Sequence, residues 1–170
     1  MSILVFDISF NWQNTPAFYI VPIAFLQILF LGGPLNEELG WRGFALPALQ
    51  AKTNAGIASL IIGVIWGIWH LPLFIANIPG YTTMPIAAYL INTCALSIIF
   101  THIYNSGNGQ LWLSILLHAV FNTVNWLLLP IVPNEHAILV SICYVSFTGL
   151  ISLYLIYRYG FKQLASSYQK

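Results

Sequence analysis

Residues 55–78 read AGIASLIIGVIWGIWHLPLFIANI, a stretch without Asp, Glu, Lys or Arg. A helix needs roughly 20 apolar residues to cross a bilayer core about 30 Å thick, so this stretch predicts a membrane-spanning helix. Further apolar runs occupy 16–31, 84–104, 111–132 and 137–157. Each run is expected to be helical, because strands with open edges would leave backbone groups unpaired in lipid. The predicted fold is all-α, a polytopic transmembrane bundle of about five helices.

The composition agrees with a chain dissolved in lipid. Hydrophobic residues make up 59% of the sequence and charged residues only 5%, whereas a soluble domain has roughly 25% charged residues. Membrane lipid is therefore an expected partner. The net charge is +1 without a basic cluster, so no nucleic-acid partner is expected. We predict a short N-terminal segment at 1–15, one membrane domain at 16–158 and a cytoplasmic C-terminal tail at 159–170.

The breaks between the apolar runs contain Gly, Pro, Asn and Ser, which favour turns. They lie at 32–43, 77–85, 104–110 and 130–136, and we interpret them as short loops between antiparallel helices. Lys and Arg follow the first and fifth runs, which predicts a cytoplasmic side there and an N-terminus outside. An outside N-terminus without a signal peptide leaves two alternatives open: a complete chain, or one that lacks N-terminal helices.

Two acidic residues, Glu37 and Glu38, stand beside the first apolar run in GGPLNEELGWRGF. An ionisable side chain costs at least about 2.5 kcal/mol at the centre of a membrane helix, so such residues usually mark function. On a helix, Glu38 and Arg42 are four residues apart and can pair. Glu37 is turned away by about 100° and is left available. The alternative is a solvated interfacial cluster that only caps a helix.

Two further pairs have helical spacing. WGIWHLPLF places Trp66 and His70 on one face of the second run, and HAVFN places His118 and Asn122 on one face of the fourth. Aromatic neighbours would keep His70 neutral, as a base or ligand requires. Taken alone, His70 fits a hydrogen-bonded core histidine as well. His118 and Asn122 could equally be polar contacts between membrane helices.

Together the three elements resemble the motifs of the CAAX protease and bacteriocin-processing (CPBP, or Abi) intramembrane peptidases, over residues 31–125. The motifs are EExxxR, an aromatic residue followed four places later by His, and HxxxN, here formed by Glu37, Glu38, Arg42, Trp66, His70, His118 and Asn122. Their order and spacing agree with the family. Trp66 stands where eukaryotic members typically have Phe, a difference that we expect to change packing alone. The family usually has more helices before its first motif.

The resemblance implies an intramembrane endopeptidase that hydrolyses a peptide bond in a membrane-associated protein or peptide. Because the sequence is similar to a bacterial subgroup, a multi-pass location in the bacterial cytoplasmic membrane is expected. Glu37 would be the general base, with His70 holding the water. Glu38 and Arg42 would support the first helix. His118 and Asn122 would stabilise the oxyanion, the negatively charged oxygen that forms during peptide hydrolysis.

The same residues allow two mechanisms. In one, Glu37, His70 and His118 bind zinc and leave the fourth position open for water. In the other, which we favour, no cofactor is required: Glu37 and His70 activate water directly. The sequence contains no HExxH, the motif that places two zinc ligands and a base on one helix. A glutamate also cannot easily be ligand and base at once.

Three other functions remain as alternatives. A non-catalytic bacteriocin self-immunity or membrane-binding protein could retain the same fold. A b-type cytochrome could use His70 and His118 as axial haem ligands, but it would have no use for the glutamates or Asn122. A proton-coupled carrier also needs intramembrane Glu and His, but the sequence has no inverted repeat of broken helices.

Overall fold

A computed structural model of the chain describes residues 11–78, 80–81 and 84–166. Within these residues the regular structure is entirely helical, with short 3-10 turns, one π-helical turn and eight α-helices. The α-helices are α1 Val21–Leu31, α2 Pro34–Gly40, α3 Leu46–Gln50, α4 Ala55–Trp69, α5 Leu71–Ile75, α6 Ile86–Ser106, α7 Leu111–Leu128 and α8 Ala137–Tyr159.

Five helical stretches are long and apolar enough to cross a membrane. They are Phe18–Gln50, Ala55–Ile75, Ile86–Ser106, Leu111–Leu128 and Asn134–Tyr159. The prediction of an all-α bundle with about five membrane helices is confirmed, and the chain is a multi-pass membrane protein. Large apolar side chains point outward, as on α8, where Phe147 and Leu150 are each more than 60% exposed. Such a surface suits lipid and not water.

The prediction of a loop over residues 32–43 is wrong. Only a bend at Gly32 and Gly33 interrupts the helical path, and Gly33 has φ 103°, a conformation that favours glycine. Pro34 then starts α2, where its missing N–H costs no hydrogen bond. A π-helical turn at Trp41–Ala45 leads into α3. The polar residues in this stretch resemble a loop signal, but they lie on a helical path, and Glu38 and Arg42 are buried in the bundle.

The second span is kinked at His70. Helix α4 ends at Trp69 and α5 begins at Leu71, with Pro72 in its first turn. Proline lacks an N–H, and its ring clashes with the carbonyl of the residue four places earlier, so a continuous helix is broken here. His70 therefore occupies a junction between two helices, where its backbone and side chain both depart from the regular pattern.

Helices α4 and α6 approach each other closely along a row of small residues. Ser59, Gly63 and Gly67 follow one another at four-residue intervals on α4 and are buried. A Cβ added at Gly63 would lie 2.6 Å from the Cα of Cys94 on α6. Small residues at this spacing allow membrane helices to pack backbone to backbone. The contact brings α4, which carries Trp66, against α6 and fixes one wall of the site.

The chain after α8 folds back onto the bundle. The backbone N–H groups of Ala55 and Gly56 at the start of α4 donate to the carbonyls of Lys162 and Phe161, at 3.0 and 2.9 Å. Leu164 is fully buried. The described part of the predicted tail at 159–170 is thus packed against the bundle. Residues 1–10 of the predicted N-terminal segment and 167–170 of the tail lie outside the described residues, so those domain boundaries stay predictions.

Candidate active site

A fully buried ion pair lies at the centre of the bundle. Glu38 on α2 and Arg42 in the π-helical turn are both 0% exposed, and Arg42 Nη1 donates to Glu38 Oε1 at 2.9 Å. Arg42 Nη2 lies 3.4 Å from Ser97 Oγ on α6. The guanidinium is 4.5 Å from the ring centre of Phe100 and 5.4 Å from that of Trp66. The pairing predicted from the four-residue spacing is present, and aromatic faces add to it.

Glu38 also reaches α7. Its Oε1 lies 2.9 Å from Nδ1 of His118, which is only 2% exposed. A carboxylate oxygen can only accept, so Nδ1 of His118 must donate and carry a proton. Nε2 is then the nitrogen left for other partners. It is an acceptor in the neutral ring and a donor in the doubly protonated one.

Glu37 is half-buried and faces a different neighbour. Its Oε2 accepts a 2.8 Å hydrogen bond from the indole Nε1 of Trp66. A Cβ added at Gly33 would lie 2.6 Å from the other carboxylate oxygen, Oε1, so glycine at that bend leaves room for it. The expectation that tryptophan in place of phenylalanine changes packing alone is wrong, because the Trp66 N–H also donates to the carboxylate.

The kink gives His70 a defined orientation. The backbone N–H of His70 donates to Gly67 O at 3.2 Å in place of the regular helical bond to Trp66 O. The Trp66 carbonyl instead lies 2.8 Å from Nδ1 of His70. Because a carbonyl can only accept, Nδ1 carries the proton and Nε2 has a free lone pair in the neutral ring. His70 as a whole residue is 8% exposed, so it is largely shielded from solvent.

Trp66 connects the separate motifs. Besides its bond to Glu37, its ring lies 6.0 Å from the His70 ring and 5.4 Å from the His118 ring, both in edge-to-face geometry. Edge-to-face contacts at these distances are favourable. The Trp66 indole, in a residue that is only 4% exposed, is thus a common neighbour of Glu37, His70 and His118. Residues far apart in the sequence meet at this point.

Asn122 is half-buried on α7, one turn after His118. Its side chain makes no hydrogen bond to the part of the chain that the structure describes, unlike two other asparagines of this region. Asn92 Oδ1 accepts from Thr148 at 2.7 Å, and Asn125 Nδ2 donates to the Phe121 carbonyl at 2.8 Å. Those two amides are engaged within the bundle, as a structural role requires.

Comparison with known proteins shows which family the chain belongs to. The model of the type II CAAX prenyl endopeptidase Rce1-like family matches residues 19–124, more than half of the chain and all three motifs. The chain belongs to this family. It is 42% identical over 57 residues to "CAAX prenyl protease 2" of Methanococcus maripaludis. It is 30% identical over 122 residues to "Putative membrane peptidase YdiL" of Bacillus subtilis.

The two alignments cover 34% and 70% of this chain. They cover 20% and 44% of the relatives' own lengths. The chain therefore spans less than half of the length of either curated relative. Membership of the Rce1-like family is secure over the region that carries the motifs, and that region includes the Glu38–Arg42–His118 contacts and the Trp66 junction.

The donor set considered for zinc does not converge in the structure. Among residues 11–78, 80–81 and 84–166, no three His, Cys, Asp or Glu side chains are grouped so that they could hold a metal ion. This geometry does not fit a three-ligand site, so no step of the mechanism below is routed through a metal.

Two contacts escaped the sequence-based prediction. The bond between Glu38 and His118 joins residues 80 positions apart, and no spacing rule connects them. The bond from Trp66 to Glu37 joins positions 29 apart. A signal for the second was present, since a tryptophan in place of phenylalanine brings an N–H that must find a partner when it is buried.

Proposed function

We propose that this member of the Rce1-like family is an intramembrane endopeptidase that hydrolyses a peptide bond in a membrane-associated protein or peptide without a metal. The observation that carries the proposal is that Glu37, His70 and His118 each contact Trp66 inside an apolar bundle. Water activation requires a base and an acceptor that orients the water, and the Glu37 carboxylate and the Nε2 lone pair of His70 can supply these two groups.

In the proposed mechanism, water lies between Glu37 and His70. Trp66 occupies Oε2 of Glu37, so Oε1 is the oxygen that takes a proton from water. Nε2 of His70 accepts a hydrogen bond from the second O–H, because Nδ1 donates to the Trp66 carbonyl. One O–H bond of the water then points at Glu37 and the other at His70. A lone pair of the water oxygen is free to attack the carbonyl carbon of the substrate.

Attack moves the carbonyl π electrons onto the oxygen, which needs hydrogen-bond donors. The Asn122 amide can donate in any state. His118 can donate from Nε2 only when Nδ1 and Nε2 are both protonated, because Nδ1 is already bonded to Glu38. That charge would be balanced: Glu38 and Arg42 neutralise each other, and the positive His118 would offset the negative Glu37. We therefore assign His118 to the oxyanion as an imidazolium, beside Asn122.

Collapse of the intermediate completes the reaction. The C–N bond breaks, and its electron pair leaves with the amide nitrogen. Glu37, which now carries the proton from water, transfers it to that nitrogen, so the leaving group departs as a neutral amine. The carboxylate of Glu37 is regenerated, and one residue serves first as base and then as acid.

Prenylated CAAX peptides are the first substrates to test, because relatives of this chain carry "CAAX prenyl" in their names. The purified chain is assayed with a farnesylated CAAX peptide, the same peptide without its prenyl group, and single-span membrane reporter proteins. Cleavage of the unprenylated peptide or of a reporter would indicate that the prenyl group is dispensable for this chain.

The decisive comparison is between two glutamate variants. Glu37→Gln keeps the shape of the side chain and removes the base, so turnover should fall by roughly 10²- to 10⁴-fold. Glu135→Gln is the matched control, because Glu135 is exposed in the turn before α8, and it should leave turnover unchanged. Equal turnover by Glu37→Gln and wild type would exclude Glu37 as the base. No cleavage of any substrate by folded wild-type protein would favour the non-catalytic membrane-binding alternative.

A further inference from the structure

A cluster of three aromatic rings lies beside His70, and two of them contact its ring. Tyr81 lies 5.7 Å from the His70 ring with an interplanar angle of 25°, a stacked arrangement. Tyr89 on α6 lies 5.7 Å from the same ring at 57°. Phe74 on α5 contacts both tyrosines, at 5.9 and 5.0 Å. We call Phe74, Tyr81 and Tyr89 the aromatic cluster.

The position of Tyr81 is built into the loop. Gly80, immediately before it, has φ 94°, which an L side chain rarely adopts. A side chain at Gly80 would strain the backbone that brings Tyr81 onto His70. Burial first, and then the Glu37 carboxylate, raise the pKa of Tyr81 above its ordinary value. The phenol is therefore neutral near pH 7.

His70 needs support beyond its own hydrogen bond. Nδ1 is fixed by the Trp66 carbonyl at 2.8 Å, but a single bond at one ring atom still allows the imidazole to tilt about it. Trp66 contacts the ring edge-to-face, whereas Tyr81 is nearly parallel to it. A ring packed flat against the imidazole restricts that tilt and so restricts the direction of Nε2.

We propose that Tyr81 is a positioning residue for His70, and that its ring, not its hydroxyl, holds the imidazole plane in the orientation that water activation needs. The proposal rests on the proposed peptidase function for its kinetic consequence. Its structural content, the packing of Tyr81 against His70, can be measured without any substrate. Tyr81 belongs to none of the three motifs and lies outside the membrane-spanning stretches.

The kinetic test compares three variants with wild type on whichever substrate wild type cleaves. Tyr81→Leu removes the flat ring and should lower kcat roughly three- to tenfold, the rate equivalent of one aromatic contact, with little change in KM. Tyr81→Phe keeps the ring and should restore wild-type kcat. Tyr104→Leu is the control, because Tyr104 is also half-buried but packs against the separate Leu46, Ala58 and Ile62 cluster. It should lower thermal stability and leave kcat unchanged.

NMR of histidine-labelled protein gives a readout that does not depend on activity. The Hε1 resonance of His70, assigned by its loss in His70→Gln, should carry a ring-current shift in wild type and in Tyr81→Phe. The resonance should move in Tyr81→Leu by the contribution of the Tyr81 ring, while that of Trp66 and Tyr89 remains, and it should stay at the wild-type position in Tyr104→Leu.

An unchanged His70 resonance in folded Tyr81→Leu would overturn the proposal. A Tyr81→Phe variant as slow as Tyr81→Leu would also overturn it, because the hydroxyl would then be the active group. If wild type cleaves nothing, the proposed function fails, and the His70 resonance still decides whether Tyr81 positions the ring.

Discussion

Replacement of Arg42 by Met removes one partner of the buried ion pair and leaves the charge of Glu38 inside the bundle. Both side chains are 0% exposed and their atoms are 2.9 Å apart. Removing one partner of such a pair costs about 3 to 5 kcal/mol, because the remaining charge is uncompensated. His118 lies equally close to Glu38, and as the imidazolium proposed above it offsets part of that charge. We therefore expect a loss of about 3 kcal/mol in the free energy of unfolding.

A second substitution separates charge from packing. Glu38→Gln in the Arg42→Met background removes the unpaired charge and keeps the volume of the side chain. The double variant should recover most of the lost stability, since a buried pair can be replaced by neutral groups at little cost. The energy of interaction between the two sites, taken from the full double-mutant cycle, should exceed about 1 kcal/mol.

Stability is measured by reversible denaturation in mixed detergent micelles, with Arg158→Met as the control. Arg158 is exposed near the end of α8, where it lies 5.4 Å from the ring centre of Tyr159. An exposed contact of that kind is worth about 0.5 to 1 kcal/mol, so the control should lose no more than that. A loss for Arg42→Met that equals the control, or a double variant less stable than Arg42→Met, would refute the charge argument.

Four further predictions concern the site and the topology. Trp66→Phe removes a hydrogen bond to a charged group, which is worth about 1.5 to 3 kcal/mol. The value of kcat/KM should therefore fall roughly ten- to a hundredfold. Wild-type kinetics in this variant would show that the N–H does not orient Glu37. Asn122→Ala should lower kcat roughly 10²- to 10³-fold, because an oxyanion donor is lost. Elemental analysis of active enzyme should find no stoichiometric zinc. Recovery of activity when zinc is added to chelator-treated enzyme would contradict the metal-free mechanism. In a background without native cysteines, Cys at Lys52 should be labelled from the cytoplasm and Cys at Glu135 from outside, and labelling of both from one side would contradict the predicted orientation.

The sequence predicted the helices well because lipid leaves few choices for the backbone. Runs of apolar residues in a membrane must be helical, and five of them gave the five spans of the bundle. The same reasoning failed at residues 32–43, where polar residues and glycines were interpreted as a loop. Only Gly32 and Gly33 form a bend there, and Glu37 and Glu38 lie on α2. The polar residues of this stretch were interpreted as a sign of a loop, whereas Glu38 and Arg42 belong to a buried site.

Local spacing predicted contacts within a helix and could not predict contacts between helices. The Glu38–Arg42 pair follows from a four-residue interval and is present at 2.9 Å. The bonds from Glu38 to His118 and from Trp66 to Glu37 depend on how α2, α4 and α7 are packed. That packing depends in turn on the bend at Gly33 and on the close approach at Gly63. Neither position carries a side chain that could have signalled its role.

Adjacent glutamates acquire different environments because they are one residue apart on a helix. Because successive residues differ by about 100° around a helix, Glu38 points into the bundle, where Arg42 and His118 share its Oε1. Glu37 is rotated out of that network, is only half-buried, and is held through one oxygen by Trp66. A single carboxylate could not both satisfy a buried cation and accept a proton from water. The pair of glutamates therefore divides two incompatible requirements, a permanently paired charge that fixes α7 and a charge whose second oxygen remains free to react.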